Sequence, residues 1–230
     1  MDIKSRPEQV HFSGRKTNLN LFSPKIRTSF RALCIGATQS GKTTFIRDLL
    51  RNENMFDHKI HCINYHYSIY QPIFEEMKKT IPNIHFYEGL PEHIEEKHNN
   101  PCIIVLDDLL LDVGNSDMIH KLFTVQSHHN DKSVILVSQS LFHQAKHYRT
   151  VSLNSNYIFL FPHPRDPSQI IYLGRQIFPH NVGFLPKVYH QVTSQKPFAH
   201  IMIDLNQYTK EQFRVWSDVL SEKPLVHYYT

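Results

Sequence analysis

The sequence predicts an α/β fold with a mainly parallel β-sheet flanked by helices. Strand patterns alternate with helical patterns along most of the 230 residues, as expected when crossover helices join parallel strands. The strand pattern at residues 102–106 is a continuous apolar run, which is typical of a strand buried on both faces, and residues 133–137 are predicted to form another apolar strand. A loop with two glycines joins the first strand to the first helix.

The chain divides into an N-terminal extension and one domain. Residues 1–28 carry more basic than acidic side chains and contain two prolines, so we predict a weakly ordered basic extension. Such an arm could contact DNA or a neighbouring subunit, or be a solvated segment without a role. Residues 29–230 can bury a substantial core and are predicted to form a single domain. The net charge of +4 permits a nucleic-acid partner without requiring one.

The loop between the first strand and the first helix has the pattern of a phosphate-binding P-loop. A short apolar strand, Arg31–Ile35, precedes Gly36, and residues 36–43 read G-x-x-x-x-G-K-T. Apolar residues then recur at helical spacing, so a helix N-terminus with its unpaired amides faces the loop. The alternative is a chance match in a surface turn, which the flanking strand and helix disfavour.

Nucleotide phosphates are predicted to bind along the whole of this loop. Lys42 is expected to reach the β- and γ-phosphates, and the Thr43 hydroxyl is expected to bind Mg²⁺. The glycines permit backbone conformations and an approach to phosphate that a side chain would block. The predicted nucleotide-binding residues are Gly36, Ala37, Thr38, Gln39, Ser40, Gly41, Lys42, Thr43 and Thr44.

The next part of the chain alternates short strands and helices. The pattern predicts strands over residues 59–65 and 84–87 and a helix over residues 71–79. An acidic helix is predicted over residues 90–96, before a turn at residues 99–101 where Asn-Asn-Pro interrupts the pattern.

The apolar run at residues 102–106 ends in two carboxylates, Asp107 and Asp108, which is the form of a Walker B strand. Acids at the carboxyl end of a parallel strand lie where open α/β sheets bind ligands. We predict that Asp107 helps to hold Mg²⁺ and that Asp108 orients or deprotonates the attacking water. In the alternative interpretation, the two acids cap the segment that follows.

A polar residue follows the second apolar run. Asn115 and Ser116 are predicted to cap a helix whose apolar stripe extends to Phe123, and residues 133–137 then form a strand. If that strand neighbours the Walker B strand, Gln139 lies beside the acids. It could then sense the γ-phosphate or position water, as a glutamine does in GTPases. Alternatively, Gln139 only caps the strand end.

The C-terminal part continues the alternation of strands and helices. Its predicted elements are a strand over residues 156–161, a proline-rich turn over 162–167, a helix over Ser168–Ile177, a last strand over 198–203 and a final amphipathic helix over 209–219 that carries Trp216.

The three cysteines, Cys34, Cys62 and Cys102, all fall in predicted strands. An odd number of buried cysteines argues against a disulfide scaffold, so we expect a reducing, intracellular setting. No apolar run approaches the length of a membrane span, and the N-terminus has no apolar core like that of a signal peptide.

Four stretches of the chain resemble a known family. Residues 122–129 (LFTVQSHH), 138–144 (SQSLFHQ), 149–154 (RTVSLN) and 161–166 (FPHPRD) resemble the DNA-packaging ATPases of Polinton/Maverick elements and adintoviruses. These ATPases belong with the poxvirus-type packaging ATPases in the FtsK/HerA superfamily. The resemblance covers roughly residues 30–205, and the second and third stretches are more specific than the P-loop and the acid pair.

The resemblance implies a RecA-like core that assembles into a homo-oligomeric ring. The ring would drive double-stranded DNA into a preformed capsid at its portal vertex, at virion assembly sites in the nucleus or cytoplasm of a host cell. Carried over to this chain, Lys42 and Thr43 bind Mg-ATP, and Asp107 serves the metal. Asp108 is then the catalytic acid, and Gln139 is the polar sensor.

The resemblance also implies an arginine finger, for which Arg149 and Arg165 are the candidates. An arginine supplied by a neighbouring subunit neutralises transition-state charge, which would make the ring necessary for hydrolysis. Either arginine could instead be a surface charge or a DNA contact. The chain departs from the family pattern at Asn130–Asp131, where Arg-Asn is common, and at Ser140, where Asn is expected.

The sequence is also compatible with functions of other classes. A nucleotide-dependent assembly protein that binds a portal with little ATP turnover would use the same P-loop, but Asp108 and Gln139 would be dispensable. A small-molecule kinase would need an arginine-rich lid, which the sequence does not show, and would leave the four family-like stretches unexplained.

Overall fold

The alternating patterns of the sequence fold into one mixed β-sheet. The structure, a computed structural model, describes residues 24–93, 100–109, 116–126, 132–142 and 147–228. Within these residues the strands are β1 (Arg31–Ile35), β2 (Cys62–Tyr67), β3 (Ile84–Glu88), β4 (Cys102–Asp107), β5 (Lys132–Ser138), β6 (Tyr157–Leu160), β7 (Ile201–Asp204), β8 (Val215–Ser217) and β9 (Leu225–His227).

The strand order β3-β2-β4-β5-β1-β6-β7-β8-β9 divides the sheet into two blocks. The six strands from β3 to β6 are mutually parallel and form the parallel block. The last three strands, β7, β8 and β9, pair antiparallel and form the antiparallel block. In the parallel block, Asp107 pairs with Val137 and Ile35 pairs with Ser138. The carboxyl ends of β1, β4 and β5 therefore meet at one edge of the sheet.

Helices cover both faces of the sheet. Among the described residues they are α1 (Lys42–Arg51), α2 (Ile73–Thr80), α3 (Asp117–Lys121), α4 (Tyr148–Leu153), α5 (Ser168–Ile177) and α6 (Phe184–Thr193), and a π-helical segment, Leu122–Gln126, continues directly from α3.

Alternate residues of β1 point into two hydrophobic cores, because successive side chains of a strand face opposite sides of a sheet. Ala32 and Cys34 pack into a core that contains the buried faces of α1 and α2. Leu33 and Ile35 pack into the opposite core, with apolar side chains of α3, α4, α5 and α6. This two-sided burial explains why β4 and β5 read as continuous apolar runs rather than alternating ones.

Most predicted elements of the first 180 residues are confirmed, with ends shifted by a few residues. Ser116 caps α3 as predicted, since its side chain accepts a hydrogen bond from the Ile119 amide at 3.3 Å. Residues 90–93 are not helical, and the rest of the helix predicted over 90–96 lies outside the described residues. Asn115 and Asn130–Asp131 also lie outside them.

The prediction for the C-terminal part is wrong in three respects. Residues 209–219 do not form a helix: Glu211–Phe213 is one 3₁₀ turn, and Trp216 lies in strand β8. Strand β7 is not the last strand, and it runs antiparallel to β6. Helix α6 was not expected, although Leu185, Val188 and Val192 are buried at helical spacing.

The end of the predicted N-terminal extension contacts the domain. Ile26 is fully buried and forms a parallel bridge with Phe56 on the α1 side of the sheet. Residues 1–23 lie outside the described residues, so the basic arm and its boundary stay a prediction. In the part of the chain that the structure describes, no helix has the length and apolar character needed to cross a membrane.

Candidate functional site

The P-loop lies between the carboxyl end of β1 and the N-terminus of α1. Gly41 has a φ of +95°, a left-handed conformation that glycine adopts without the steric cost of a side chain. At Gly36, an added Cβ would lie 2.4 Å from the Cβ of Phe161 and 2.7 Å from the Ser40 Oγ. Both glycines are therefore required by the geometry of the loop.

Lys42, the first residue of α1, folds back over the loop. Its Nζ donates hydrogen bonds to the carbonyl oxygens of Gly36 at 2.8 Å and Ala37 at 2.7 Å. Burial lowers the pKa of Lys42, and the nearby carboxylates of Asp107 and Asp108 oppose that shift. These contacts hold a cationic side chain across the mouth of the loop, where a phosphate would exchange for the two carbonyls.

Thr43 and Asp107 face each other across the edge of the sheet. The Thr43 hydroxyl donates to the Asp107 Oδ2 at 3.5 Å, a long hydrogen bond. The Tyr65 hydroxyl donates to the same carboxylate oxygen at 2.6 Å from the neighbouring strand β2. Burial raises the pKa of the Asp107 carboxyl, and the hydrogen bond from Tyr65 opposes the rise. Tyr65 thus fixes the orientation of the carboxylate.

Asp108 and Gln139 meet because their strands are neighbours. Gln139 follows β5, and its Nε2 donates to the Asp108 Oδ1 at 3.3 Å. Asp108 has a φ of +58°, so the chain turns sharply at the end of β4 and turns this carboxylate toward solvent while Asp107 stays buried. The sequence placed Gln139 beside the acids on the condition that these strands pair, and they do.

These side chains surround a cleft of about 390 Å³ at the carboxyl edge of the parallel block. Of the predicted nucleotide-binding residues, Gly36, Ala37 and Ser40 are not at its surface: the first two offer carbonyls to Lys42, and Ser40 is buried beneath the loop. The lining residues are Thr38, Gln39, Gly41, Lys42, Thr43, Thr44, Gln71, Asp107, Asp108, Val137, Gln139 and Phe198.

The donor set of the cleft fits a magnesium–nucleotide complex. Mg²⁺ prefers oxygen ligands and is commonly held by one or two carboxylates together with substrate phosphates. Thr43 and Asp107 supply a hydroxyl and a carboxylate, and the loop with Lys42 supplies the surroundings that phosphates prefer. Among the described residues, no group of three or more His, Cys, Asp and Glu side chains offers a separate metal site.

The two predicted arginine-finger candidates lie away from this cleft. Arg149 is exposed on α4, and Arg165 is exposed in the turn before α5. Neither lines the cleft of its own chain. A role for either one across a subunit interface stays a prediction.

Four lining or supporting residues were not found from the sequence: Tyr65, Gln71, Val137 and Phe198. A tyrosine inside a strand pattern is an ordinary β-former, so nothing local marks Tyr65 as a partner of Asp107. Gln71 and Phe198 precede secondary-structure elements and reach the cleft only through the tertiary fold. Strand pairing alone would have pointed to Tyr67, the register partner of Asp107, because Tyr65 pairs with Val105 and reaches the carboxylate diagonally.

Comparison with solved structures supports the predicted fold class. No protein-family model and no curated protein matches the chain. Among solved structures, the DNA-packaging ATPase B204 from Sulfolobus turreted icosahedral virus matches with a TM-score of 0.51 at 12% sequence identity, over 80% of this chain and 96% of that chain. The genome-packaging NTPase B204 from Sulfolobus turreted icosahedral virus 2, in complex with ATP-gammaS, matches with a TM-score of 0.49 at 13% identity, over 79% and 95% of the two chains.

ATPases 2 and 3 of EssC from Geobacillus thermodenitrificans match less well, with a TM-score of 0.42 at 13% identity, over 63% of this chain and 34% of that chain. The DNA-packaging ATPase B204 from Sulfolobus turreted icosahedral virus has a TM-score above 0.5, and at 12% identity this likeness concerns the fold alone. The predicted fold class is confirmed: the chain has a mixed α/β fold with a mostly parallel nine-stranded sheet in its described residues, like that of the B204 ATPase.

Proposed function

We propose that this chain is a Mg²⁺-dependent ATPase that translocates double-stranded DNA into a viral capsid as a homo-oligomeric ring. One observation carries the proposal: Lys42, Thr43, Asp107, Asp108 and Gln139 come from the start of α1 and the carboxyl ends of β4 and β5, and they meet at one cleft. That constellation has a phosphate-binding loop, a metal-binding carboxylate and a second, more exposed carboxylate with a polar partner. A site that only bound nucleotide would need the first two parts but not the third.

Each of these residues of the cleft has its own role in ATP hydrolysis. Thr43 and Asp107 would hold Mg²⁺, which when bound neutralises charge on the β- and γ-phosphates. Lys42 binds the phosphates. Asp108 accepts the proton of the attacking water, and Gln139 holds that carboxylate through its 3.3 Å hydrogen bond.

The DNA-packaging part of the proposal rests on two further supports. The four stretches described above resemble the packaging ATPases of Polinton/Maverick elements, adintoviruses and poxviruses. The B204 protein, whose fold is similar, is itself described as a DNA-packaging ATPase. Duplex DNA, a capsid portal vertex and other copies of this chain are therefore the proposed partners, and virion assembly sites inside a host cell are the proposed location.

The experiment is ATP hydrolysis by the wild type, Lys42→Ala and Asp108→Asn, with and without linear duplex DNA, over a range of protein concentrations. A ring motor should show DNA-stimulated turnover that rises more than linearly with protein concentration. Lys42→Ala should lose ATP binding and turnover together. Asp108→Asn should keep ATP binding and lose about 10²–10⁴-fold in turnover, the usual contribution of a general base.

Turnover by Asp108→Asn equal to that of the wild type would overturn the catalytic assignment. Tight ATP binding without turnover, with or without DNA, would overturn the motor in favour of a nucleotide-dependent assembly protein. The Arg175→Ala variant is a matched control for the arginine candidates, because Arg175 is exposed on α5 and contacts Tyr172 away from the cleft.

Subunit mixing tests whether Arg149 or Arg165 acts in trans. An arginine finger contributes about 10³–10⁵-fold in turnover, so Arg149→Ala or Arg165→Ala alone should be nearly inactive if that residue is the finger. Mixing the inactive arginine variant with Lys42→Ala should restore activity, because one subunit supplies the intact cleft and its neighbour supplies the arginine. Mixtures that stay inactive would exclude a finger from that residue in trans.

A further inference from the structure

Phe198 is an exposed aromatic side chain at the nucleotide cleft that the mechanism above does not use. Phe198 is 61% exposed although it lines the cleft together with Thr44 and Gly41. A Cβ added to Gly41 would lie 3.0 Å from both the Cβ and the Cδ1 of Phe198, so the aromatic side chain lies against the backbone at the start of α1. A ligand that covered this ring would remove aromatic surface from water, which is favourable.

The backbone holds this ring in a strained position. Phe198 has a φ of +63°, a left-handed conformation that is unfavourable for a residue with a bulky side chain. Such a conformation persists only where the surroundings impose it. The strain is located at one residue of the loop between α6 and β7, and that residue is the one that reaches the cleft.

His200 and a salt bridge fix the loop around Phe198. The Nδ1 of His200 lies 3.2 Å from the carbonyl oxygen of Phe198, so the neutral ring with Nδ1 protonated donates a hydrogen bond to it. The His200 ring stacks on Phe161 at a centroid distance of 4.5 Å and contacts Phe45 of α1 edge-on at 4.4 Å. Two residues before Phe198, Lys196 forms a salt bridge with Asp218 at 2.6 Å. The aromatic ring is therefore presented from a supported loop.

The rest of the cleft accounts for the phosphates and the metal but not for a base. Phe198 is the one aromatic residue among the described residues that line the cleft, and it lies at the α1 end, beside Gly41 and Thr44. We propose that Phe198 is the platform on which the base of the bound nucleotide stacks. This inference rests on the proposed nucleotide site and adds a residue that positions the substrate.

Stacking explains why a phenylalanine suffices at this position. Every nucleobase has a π-face, and base–aromatic stacking tolerates different bases because it does not use the hydrogen-bonding edges. Phe198 should consequently strengthen the binding of ATP and of GTP to a similar degree. It should contribute nothing to the binding of inorganic tripolyphosphate, which has no base.

The test compares ATP, GTP and inorganic tripolyphosphate, each with Mg²⁺, as ligands of the full chain in titration calorimetry. Phe198→Ala should weaken ATP and GTP binding about five- to hundredfold, the range expected for loss of one stacked base, and leave tripolyphosphate binding unchanged. Phe198→Tyr should keep wild-type affinities. Phe142→Ala is the matched control, because Phe142 is also an exposed phenylalanine but lies outside the cleft.

A second readout does not depend on affinity. In Phe198→Trp, stacking of the base should quench the new indole fluorescence when ATP is added and not when tripolyphosphate is added. Equal weakening of ATP and tripolyphosphate in Phe198→Ala would overturn the proposal, because the ring would then only support the loop. Unchanged ATP binding would overturn it as well.

Failure of this inference and failure of the proposed function can be distinguished. If Lys42→Ala binds both ATP and tripolyphosphate as well as the wild type does, the phosphate site itself is wrong. If Lys42→Ala loses both ligands while Phe198→Ala loses neither, the nucleotide site stands and the base platform is wrong.

Discussion

The parallel block and the antiparallel block of the sheet do different things in this protein. The parallel block carries the phosphate loop, both carboxylates and Gln139, because the carboxyl ends of β1, β4 and β5 meet at one edge. Within the described residues, no residue of β7, β8 or β9 lines the cleft. Of the described residues, Phe198 in the loop just before β7 is the one from this end of the sheet that reaches the cleft. The candidate site is thus formed at the edge of the parallel block, and the antiparallel block extends the same sheet without lining the cleft in its described strands.

This separation predicts that a large defect in the antiparallel block lowers stability without altering the cleft. Trp216 on β8 is 6% exposed, and its indole N–H donates to the Phe213 carbonyl at 2.6 Å. Trp216→Ala should lower the free energy of unfolding by about 3–5 kcal/mol, as large-to-small changes of buried aromatic residues do. The ATP affinity of the folded protein should stay at the wild-type value. Urea unfolding and calorimetry at a temperature where the variant is folded measure the two quantities.

Leu225→Ala is the control for this experiment, since Leu225 on β9 is 54% exposed and its loss should change stability by no more than about 0.5 kcal/mol. A drop in ATP affinity in Trp216→Ala would mean that the two blocks are coupled. The antiparallel block would then influence nucleotide binding as well as stability.

His200 directly precedes β7, the strand at which the antiparallel block begins, and this histidine should make the free energy of unfolding depend on pH. Burial lowers the pKa of His200 from its ordinary 6.5 to about 4, with Asp218 opposing the shift and Lys196 adding to it. Between these two values the unfolded chain binds a proton that the folded chain does not. Stability is therefore lost as the pH falls from about 6.5 to about 4, by up to ~3 kcal/mol for this one group.

His200→Asn isolates this contribution, because its amide can still donate to the Phe198 carbonyl but does not titrate. Burial also lowers the pKa of His66 and His227, but both remain in the variant and cancel in a difference. The wild-type free energy of unfolding minus that of His200→Asn should fall as the pH is lowered. A difference that stays constant between pH 8 and pH 4 would show that His200 titrates normally.

The sequence predicted the two blocks unequally, and the reason is physical. A parallel strand buried on both faces is a continuous apolar run, so β4 and β5 were recognisable, and their terminal polar residues marked the site. In β8, Val215, Trp216 and Ser217 are all buried. In the sequence, Phe213, Trp216 and Val219 recur three residues apart, which is a helical spacing, and this spacing favoured the helix predicted over residues 209–219.

Some parts of the site could not be predicted because they depend on distant contacts. Lys42, Thr43, Asp107 and Asp108 lie in local patterns whose chemistry is specific. Phe198 and Tyr65 lie in no such pattern, and their positions follow from the strand order and the α6–β7 loop. The fold class and the residues of the candidate site were therefore accessible from the sequence, whereas Phe198 and Tyr65 were not.

The last prediction tests such a support within the parallel block. Tyr65 donates to the carboxylate of Asp107, and loss of a partner that orients a metal ligand commonly weakens metal binding about 10–100-fold, or ~1.4–2.8 kcal/mol. Tyr65→Phe should raise the Mg²⁺ concentration needed for half-maximal ATP turnover by this factor. ATP binding in the absence of Mg²⁺ should not change, because Lys42 and the loop are untouched. Tyr87→Phe on β3, where the tyrosine is 46% exposed, should leave both quantities at wild-type values. If Tyr65→Phe leaves the Mg²⁺ requirement unchanged, the carboxylate is oriented by the strand itself and the hydroxyl contributes only to packing.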